Sequence, residues 1–356
     1  MDKPKKKYGR KSYVNVLEKG LKYINKRRNG EIKSLLTPWP SLNEAGVNGL
    51  EWGSMLTIGA RPGAGKTMIV SQMLREARRL NPDQKFNILE FQFEMGDEQY
   101  AARQFAGEMA QDYGVILSTK RQLDTFTLDN INKYVEHCKE MESYGLIREV
   151  ISESLTHTDM EEAIQEAYLE GGSKPMIVTI DHSWLIKKRL DEREKIATLY
   201  NTTEMLMKLK NKIPVIVIMI TQLNRSIDEA TRKTPGTVGN YPTSGDIFGG
   251  DALMQGSDLV IALSRPSKAD IKVYGPYAYQ VEDEDVFMHL LKIRNGDDNK
   301  NLIFLKMDGQ RQQMVEAPEF KALRPEGSAS AYQRYSERSG GGGGRRNVTA
   351  EVGQEL

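Results

Sequence analysis

The stretch that most constrains this chain is Gly59-Ala60-Arg61-Pro62-Gly63-Ala64-Gly65-Lys66-Thr67. Met55-Leu56-Thr57-Ile58, just before it, is a short apolar run that reads as a buried strand. Residues 68–77, just after it, carry apolar side chains at helical spacing. Strand, glycine-rich turn, Gly-Lys-Thr and helix, in that order, make the context of a phosphate-binding loop. Glycines let backbone N–H groups curl around an anion without Cβ clashes. The helix N-terminus adds partial positive charge. The expected nucleotide-binding residues are therefore Arg61, Pro62, Gly63, Ala64, Gly65, Lys66 and Thr67. Lys66 would reach the terminal phosphates, and the Thr67 hydroxyl would ligate Mg²⁺. Ala60 departs from the strict pattern, which has Gly at that position.

Net charge is +1 over 356 residues, so any basic surface for nucleic acid must be local. Cys138 is the single cysteine, which excludes an intrachain disulfide framework and a zinc cluster and fits a reducing compartment. No apolar run approaches the ~20 residues that span a membrane. The Lys-rich start, residues 1–7, has no apolar stretch after it and so is no secretory signal.

Residues 1–11 read as a disordered basic arm. Residues 12–30 hold Tyr13, Val16, Leu17, Leu21 and Ile24 at near-helical spacing, a linker helix that must bury its stripe on its own domain or on a neighbouring subunit. Residues 31–324 form the core domain, and a Gly-rich polar tail, 325–356, buries too little apolar surface to order itself. Within the core, apolar strands at 86–93, 175–181 and 214–222 alternate with helices at 97–112, 128–143, 158–169 and 192–211. That alternation predicts an α/β fold with a mainly parallel sheet covered on both faces. Residues 37–53 read as turns, 226–250 as a long polar loop, 266–284 as an insertion, and 287–307 as an antiparallel hairpin.

Ligands of such sheets sit beyond the carboxyl ends of the strands. Glu94, Asp181 and Gln222 fall at such ends. Asp181 follows an apolar run and fits a carboxylate that helps hold Mg²⁺; a capping Asp in a turn is the alternative. Glu94 fits a group that polarises the attacking water, or a plain surface Glu. Gln222 fits a sensor of the terminal phosphate, or a buried amide bonded to backbone.

In order along the chain, these motifs resemble those of the DnaB-type replicative helicases, and more loosely the helicase half of bacteriophage primase-helicases. Ala60-Arg61-Pro62 matches the family's opening of the phosphate loop, which accounts for Ala60. Phe93-Glu94-Met95-Gly96 is similar to its Leu-Glu-Met-Ser segment, whose Glu is the catalytic base. Ile180-Asp181-His182 stands where the family has its strand-end Asp followed by Tyr. Thr221-Gln222-Leu223-Asn224-Arg225 resembles its sensor strand, and residues 246–258 its DNA-binding loop and the helix after it. Lys292-Ile293-Arg294-Asn295-Gly296 matches Lys-x-Arg-Asn-Gly, whose Arg enters the neighbour's active site.

The resemblance, from about residue 30 to 316, implies a RecA-like P-loop ATPase core with a C-terminal antiparallel hairpin. It implies a homo-hexameric ring with ATP and Mg²⁺ bound between subunits. Lys66, Thr67, Glu94, Asp181 and Gln222 would come from one subunit, and Arg294 with Lys292 from the next. Hydrolysis would drive the ring 5′ to 3′ along single-stranded DNA and open forked duplex. DNA contacts would fall among Arg225, Arg232, Lys233, Phe248, Gly249 and Gly250, although Phe248 stands where the family often has Arg. Primase, polymerase or a helicase loader are the implied partners, in the cytoplasm. The short region ahead of the core points to a phage or mobile-element replisome in a bacterial host. A RecA-like strand-exchange filament and a nucleotide-switched assembly ATPase without DNA are the competing classes.

Overall fold

In the long strands alternate side chains point to opposite faces, so an apolar strand with no polar alternation must be covered twice. The computed structural model describes residues 11–118, 123–233, 240–296, 301–318 and 320. The expected basic arm, Lys11 aside, and the Gly-rich tail lie outside them.

Helix α1 (Tyr13–Arg28) is followed by α2 (Pro40–Ala45), strand β1 (Ser54–Ala60), α3 (Lys66–Leu80), β2 (Asn87–Gln92) and α4 (Asp97–Glu108). Next come α5 (Tyr113–Ile116), α6 (Thr125–Ser143), β3 (Arg148–Ile151), α7 (His157–Glu170), β4 (Met176–Asp181), α8 (Lys195–Lys210) and β5 (Val215–Gln222). The chain continues through α9 (Gly250–Gly256), β6 (Leu259–Ser264), β7 (Val273–Tyr274), β8 (Tyr279–Gln280), β9 (Asp285–Ile293), β10 (Leu302–Asp308) and β11 (Gln313–Glu316). The main sheet has the order β11-β10-β9-β6-β1-β5-β4-β2-β3. From β6 to β3 every pairing is parallel, and β9, β10 and β11 add antiparallel to one another and to β6. This is the mainly parallel α/β fold with an antiparallel C-terminal part that the sequence predicts.

Burial follows the period of two. Along β5, Ile216, Ile218 and Ile220 join one core cluster with Ile69, Val70 and Met73 of α3. Val215, Val217 and Met219 join the other, with Ile164 of α7 and Met205 and Leu206 of α8. A third cluster of Tyr241, Tyr274, Tyr279, Phe287 and Phe320 covers the outer part of β9.

Helix α1 forms, yet none of its residues is buried, and Tyr13, Leu17, Leu21 and Ile24 stand exposed. Among the described residues its end is tied down, through Arg27 Nη1 to Glu51 Oε1 at 3.3 Å and Tyr23 Oη donating to the same oxygen at 2.9 Å.

Three segments differ from the sequence expectation. The stretch read as turns contains α2, which opens on Pro40, a residue whose missing N–H costs nothing in a first turn, and is anchored by the fully buried Trp39. The insertion at 266–284 folds into a one-turn helix, Pro266–Ala269, and the β7–β8 ribbon under the aromatic cluster. Strand β11 was not expected; Met314 joins Gln72 of α3 by a pair of hydrogen bonds, 2.7 and 3.2 Å. No helix among the described residues is long and apolar enough to cross a membrane.

Candidate functional site

The ladders bring four strand ends level. Ala60 pairs with Gln222, Gln92 with Asp181, and Ile180 with Met219. The loop after β1 therefore faces Glu94, two residues beyond β2, Asp181 at the end of β4 and Gln222 at the end of β5. Gly65 caps α3 with φ +90°, and a Cβ there would lie 2.1 Å from Met314 Cε, so the turn into the helix requires glycine.

Thr67 Oγ1 donates to Asp181 Oδ2 at 2.8 Å. Asp181 is buried, and burial pushes its carboxyl up to about 6 against the Thr67 hydrogen bond and the Lys66 ammonium, with the Glu94 charge adding to the rise. Its Oδ1 has no hydrogen-bond partner; the Gln92 amide beside it is outside bonding geometry but still favours the charged form. Burial pulls Lys66 down from its ordinary value, while Asp181 and Glu94 pull it back. His182 is also held low by burial, with the Glu94 charge opposing the shift. Lys66, Glu94, Asp181 and Thr67 thus form one electrostatic unit. Gln222 is half-buried, and its carbonyl accepts from Phe248 N–H at 2.9 Å.

Arg61 is engaged by partners on the segment following β5. It pairs with Asp228 at 2.7 Å and donates to the Leu223 carbonyl at 3.2 Å. With Pro62, Lys233, Arg265 and Lys268 it lines a cavity of 400 Å³ beside the loop. Arg265, at the end of β6, is a residue that the motif reading missed; its Nη1 donates to the Gly63 carbonyl at 3.4 Å. The strand-end rule that picked out Asp181 and Gln222 would have found it.

The expected DNA-contact residues divide. Arg225 is exposed. The Arg232 guanidinium is engaged by the buried Asp246 and by the Tyr241 carbonyl at 2.8 Å, which orders part of the long polar loop. Lys233 Nζ donates to the Ala269 carbonyl at 3.3 Å, toward the cavity. Phe248 packs edge to face on Trp184, centroids 4.7 Å apart. Gly249 has φ +70° at the start of α9, where a Cβ would lie 2.6 Å from Leu199 Cδ1, and Gly250 opens the helix.

Lys292 and Arg294 lie elsewhere. Because β9 runs against β6, Ile293 pairs with Leu259 at the amino end of the parallel strands. The length of β1, some 20 Å, separates that edge from the phosphate loop. There Arg294 Nη1 meets Asp258 Oδ1 at 2.8 Å, and Lys292 Nζ donates to the Met254 carbonyl. Asp258 Oδ2 accepts from Met55 N–H at 2.9 Å and from the buried Lys210 ammonium.

The sequence profile of the DnaB-like helicase C-terminal domain matches residues 34–311. The chain is 24% identical over 307 residues to the replicative DNA helicase DnaB of Helicobacter pylori, covering 85% of this chain and 57% of that protein. It is 24% identical over 307 residues to that of Haemophilus influenzae, covering 85% and 60%. It spans well under two thirds of the length of these relatives. A solved ATPase domain superposes with a TM-score of 0.71 at 16% identity, covering 86% of this chain and 99% of that one. A DnaB-like replicative helicase, described with its interactions with primase, superposes at 0.67 and 16% identity, covering 86% and 67%. Both carry the same fold.

Proposed function

The chain belongs to the DnaB-like helicase C-terminal domain family, and from that premise we propose that it is the motor of a replicative DNA helicase. In this reading it hydrolyses ATP as a homo-hexameric ring, moves 5′ to 3′ on single-stranded DNA and unwinds duplex at forks. Residues 31–324 are the motor domain and 12–30 the linker helix. The observation that supports the reading is that the loop after β1 lies at the carboxyl ends of the parallel strands and Arg294 near their amino ends. Arg294 is too far from its own phosphate loop to act there, and a second copy would bring it in.

Within one subunit, Lys66 and the backbone of the loop hold the phosphates, and Glu94 orients and deprotonates the attacking water. Gln222 senses the terminal phosphate and passes its loss to Phe248 through the backbone bond. The partnerless Asp181 Oδ1 beside the Thr67 hydroxyl fits Mg²⁺, which Thr67 and Asp181 would hold. When bound, the ion would neutralise charge on the phosphates. The cavity beside Arg61 has room for the nucleoside. Arg294 of the adjacent copy, with Lys292 beside it, meets the charge that develops on the transferred phosphoryl group. The exposed stripe of α1 docks on the neighbouring subunit and holds the ring. Primase, polymerase or a loader are the proposed protein partners, in the cytoplasm of a bacterial host.

Unwinding of a forked duplex with either arm shortened tests the proposal. Unwinding is expected to require ATP, Lys66 and the 5′ arm. Absence of both unwinding and single-strand-stimulated hydrolysis would move the assignment to a nucleotide-switched ATPase without DNA, and filaments in place of rings would move it to a strand-exchange protein.

A further inference from the structure

Trp184 stands apart from the other two tryptophans. Trp39 is fully buried and Trp52 half-buried, whereas Trp184 leaves 44% of its surface exposed. An indole this open needs a reason, since an exposed aromatic forgoes the burial that makes it stabilising. It lies three residues after Asp181, on the one-turn helix Ser183–Leu185 that leaves β4. Its backbone N–H donates to His182 Nδ1 at 3.3 Å, which sets the start of that turn. Phe248 meets it at 90° with centroids 4.7 Å apart, and Lys195 Nζ lies 5.8 Å from its ring centre. Exposed Lys187 and Lys188 come three and four residues after it.

Two aromatic rings and nearby ammonium groups form the chemistry of a single-strand platform, in which flat bases stack on rings while cations follow the phosphates. The attachment of the two rings bears on this. Trp184 is fixed to the end of β4, which carries Asp181, and Phe248 is bonded to the carbonyl of Gln222 at the end of β5. In the proposed reading both strand ends would face the nucleotide, so a base on this pair would sit one short turn from the phosphate site.

We propose that Trp184, braced by Phe248, is a base-stacking contact for single-stranded DNA. The inference rests on the DNA-motor reading and adds to it a contact to bases at the position where Phe248 replaces a cation. Stacking uses the face of any base, so the contact tolerates sequence.

The test is binding of the full chain, with a non-hydrolysable ATP analogue and Mg²⁺, to a fluorescent oligothymidylate and to its abasic counterpart. Trp184→Ala is expected to weaken oligothymidylate binding by about 5- to 150-fold. Trp184→Phe should restore most of it. The abasic strand should bind both the wild type and Trp184→Ala equally, and the salt dependence should be unchanged because no charge is removed. Equal loss on the abasic strand, or undiminished binding of Trp184→Ala, overturns the proposal. So does loss of ring assembly in Trp184→Ala, read by light scattering, which would make the indole a subunit contact. If the wild type binds neither strand, the DNA-motor reading itself fails.

Discussion

Asp258 is held from three sides, and each hold has a different consequence. Met55 N–H and Lys210 share one carboxylate oxygen, and Arg294 takes the other. The Lys210 side chain is only 6% exposed, so its charge depends on this partner, whereas Arg294 is 45% exposed and free to face outward. Asp258→Asn is therefore expected to destabilise the fold by about 3 kcal/mol, the cost of a buried charge left alone. It should also lower kcat by about 10- to 100-fold through misplacement of Arg294, with KM little changed. Adding Lys210→Met should recover the stability, read from a denaturant midpoint, and not the turnover. Joint recovery of both would show that Asp258 acts only as a structural counter-ion.

At the scale of elements, the aromatic cover of β9 contains a titratable group that makes stability depend on pH. His289 is fully buried, lies 2.9 Å from the Tyr274 hydroxyl, and is driven down to about 3 by burial. An imidazole whose folded value is depressed stays neutral while its unfolded counterpart takes up a proton below about 6.5. The unfolded chain then binds more protons, so stability is lost as pH falls from that value toward 3. Between pH 7.5 and 5 the loss should be about 2 kcal/mol. A urea series at the two pH values measures it, and His289→Gln should flatten the difference; an unchanged difference would place the sensitivity elsewhere.

The same elements show what the sequence makes legible. The long central strands are apolar on both faces, so β1, β4 and β5 are plain from pattern alone. Their ends follow, and with them Asp181 and Gln222. Strand β11 is four residues long after a polar turn and is held by Gln72 from a distant helix, a contact no local pattern encodes. Helix α2 is held in the same way, by Trp39 and by Ser41, whose N–H donates to Glu316 at 3.1 Å. Trp184 was in no motif and Asp258 only ended one, and the roles of both lie in partners more than thirty residues away, Phe248 for one and Met55 for the other.

For the whole molecule, one sheet carries a phosphate loop at the carboxyl ends of its strands and a cationic pair at their amino ends, joined by β1. In the proposed reading, such an arrangement completes a site when copies are set edge to edge. Each site would then be sensitive to the position of the next subunit, since a trans arginine contributes about 10³- to 10⁵-fold in rate. The most direct test mixes two inactive variants. Lys66→Ala retains Arg294 and lacks a working phosphate loop, and Arg294→Ala has the reverse defect. After subunit exchange, mixed rings should hydrolyse ATP well above the sum of the separate variants, because some interfaces regain both halves. Hydrolysis no higher than that sum, or full activity of Arg294→Ala alone, would contradict a site shared between copies.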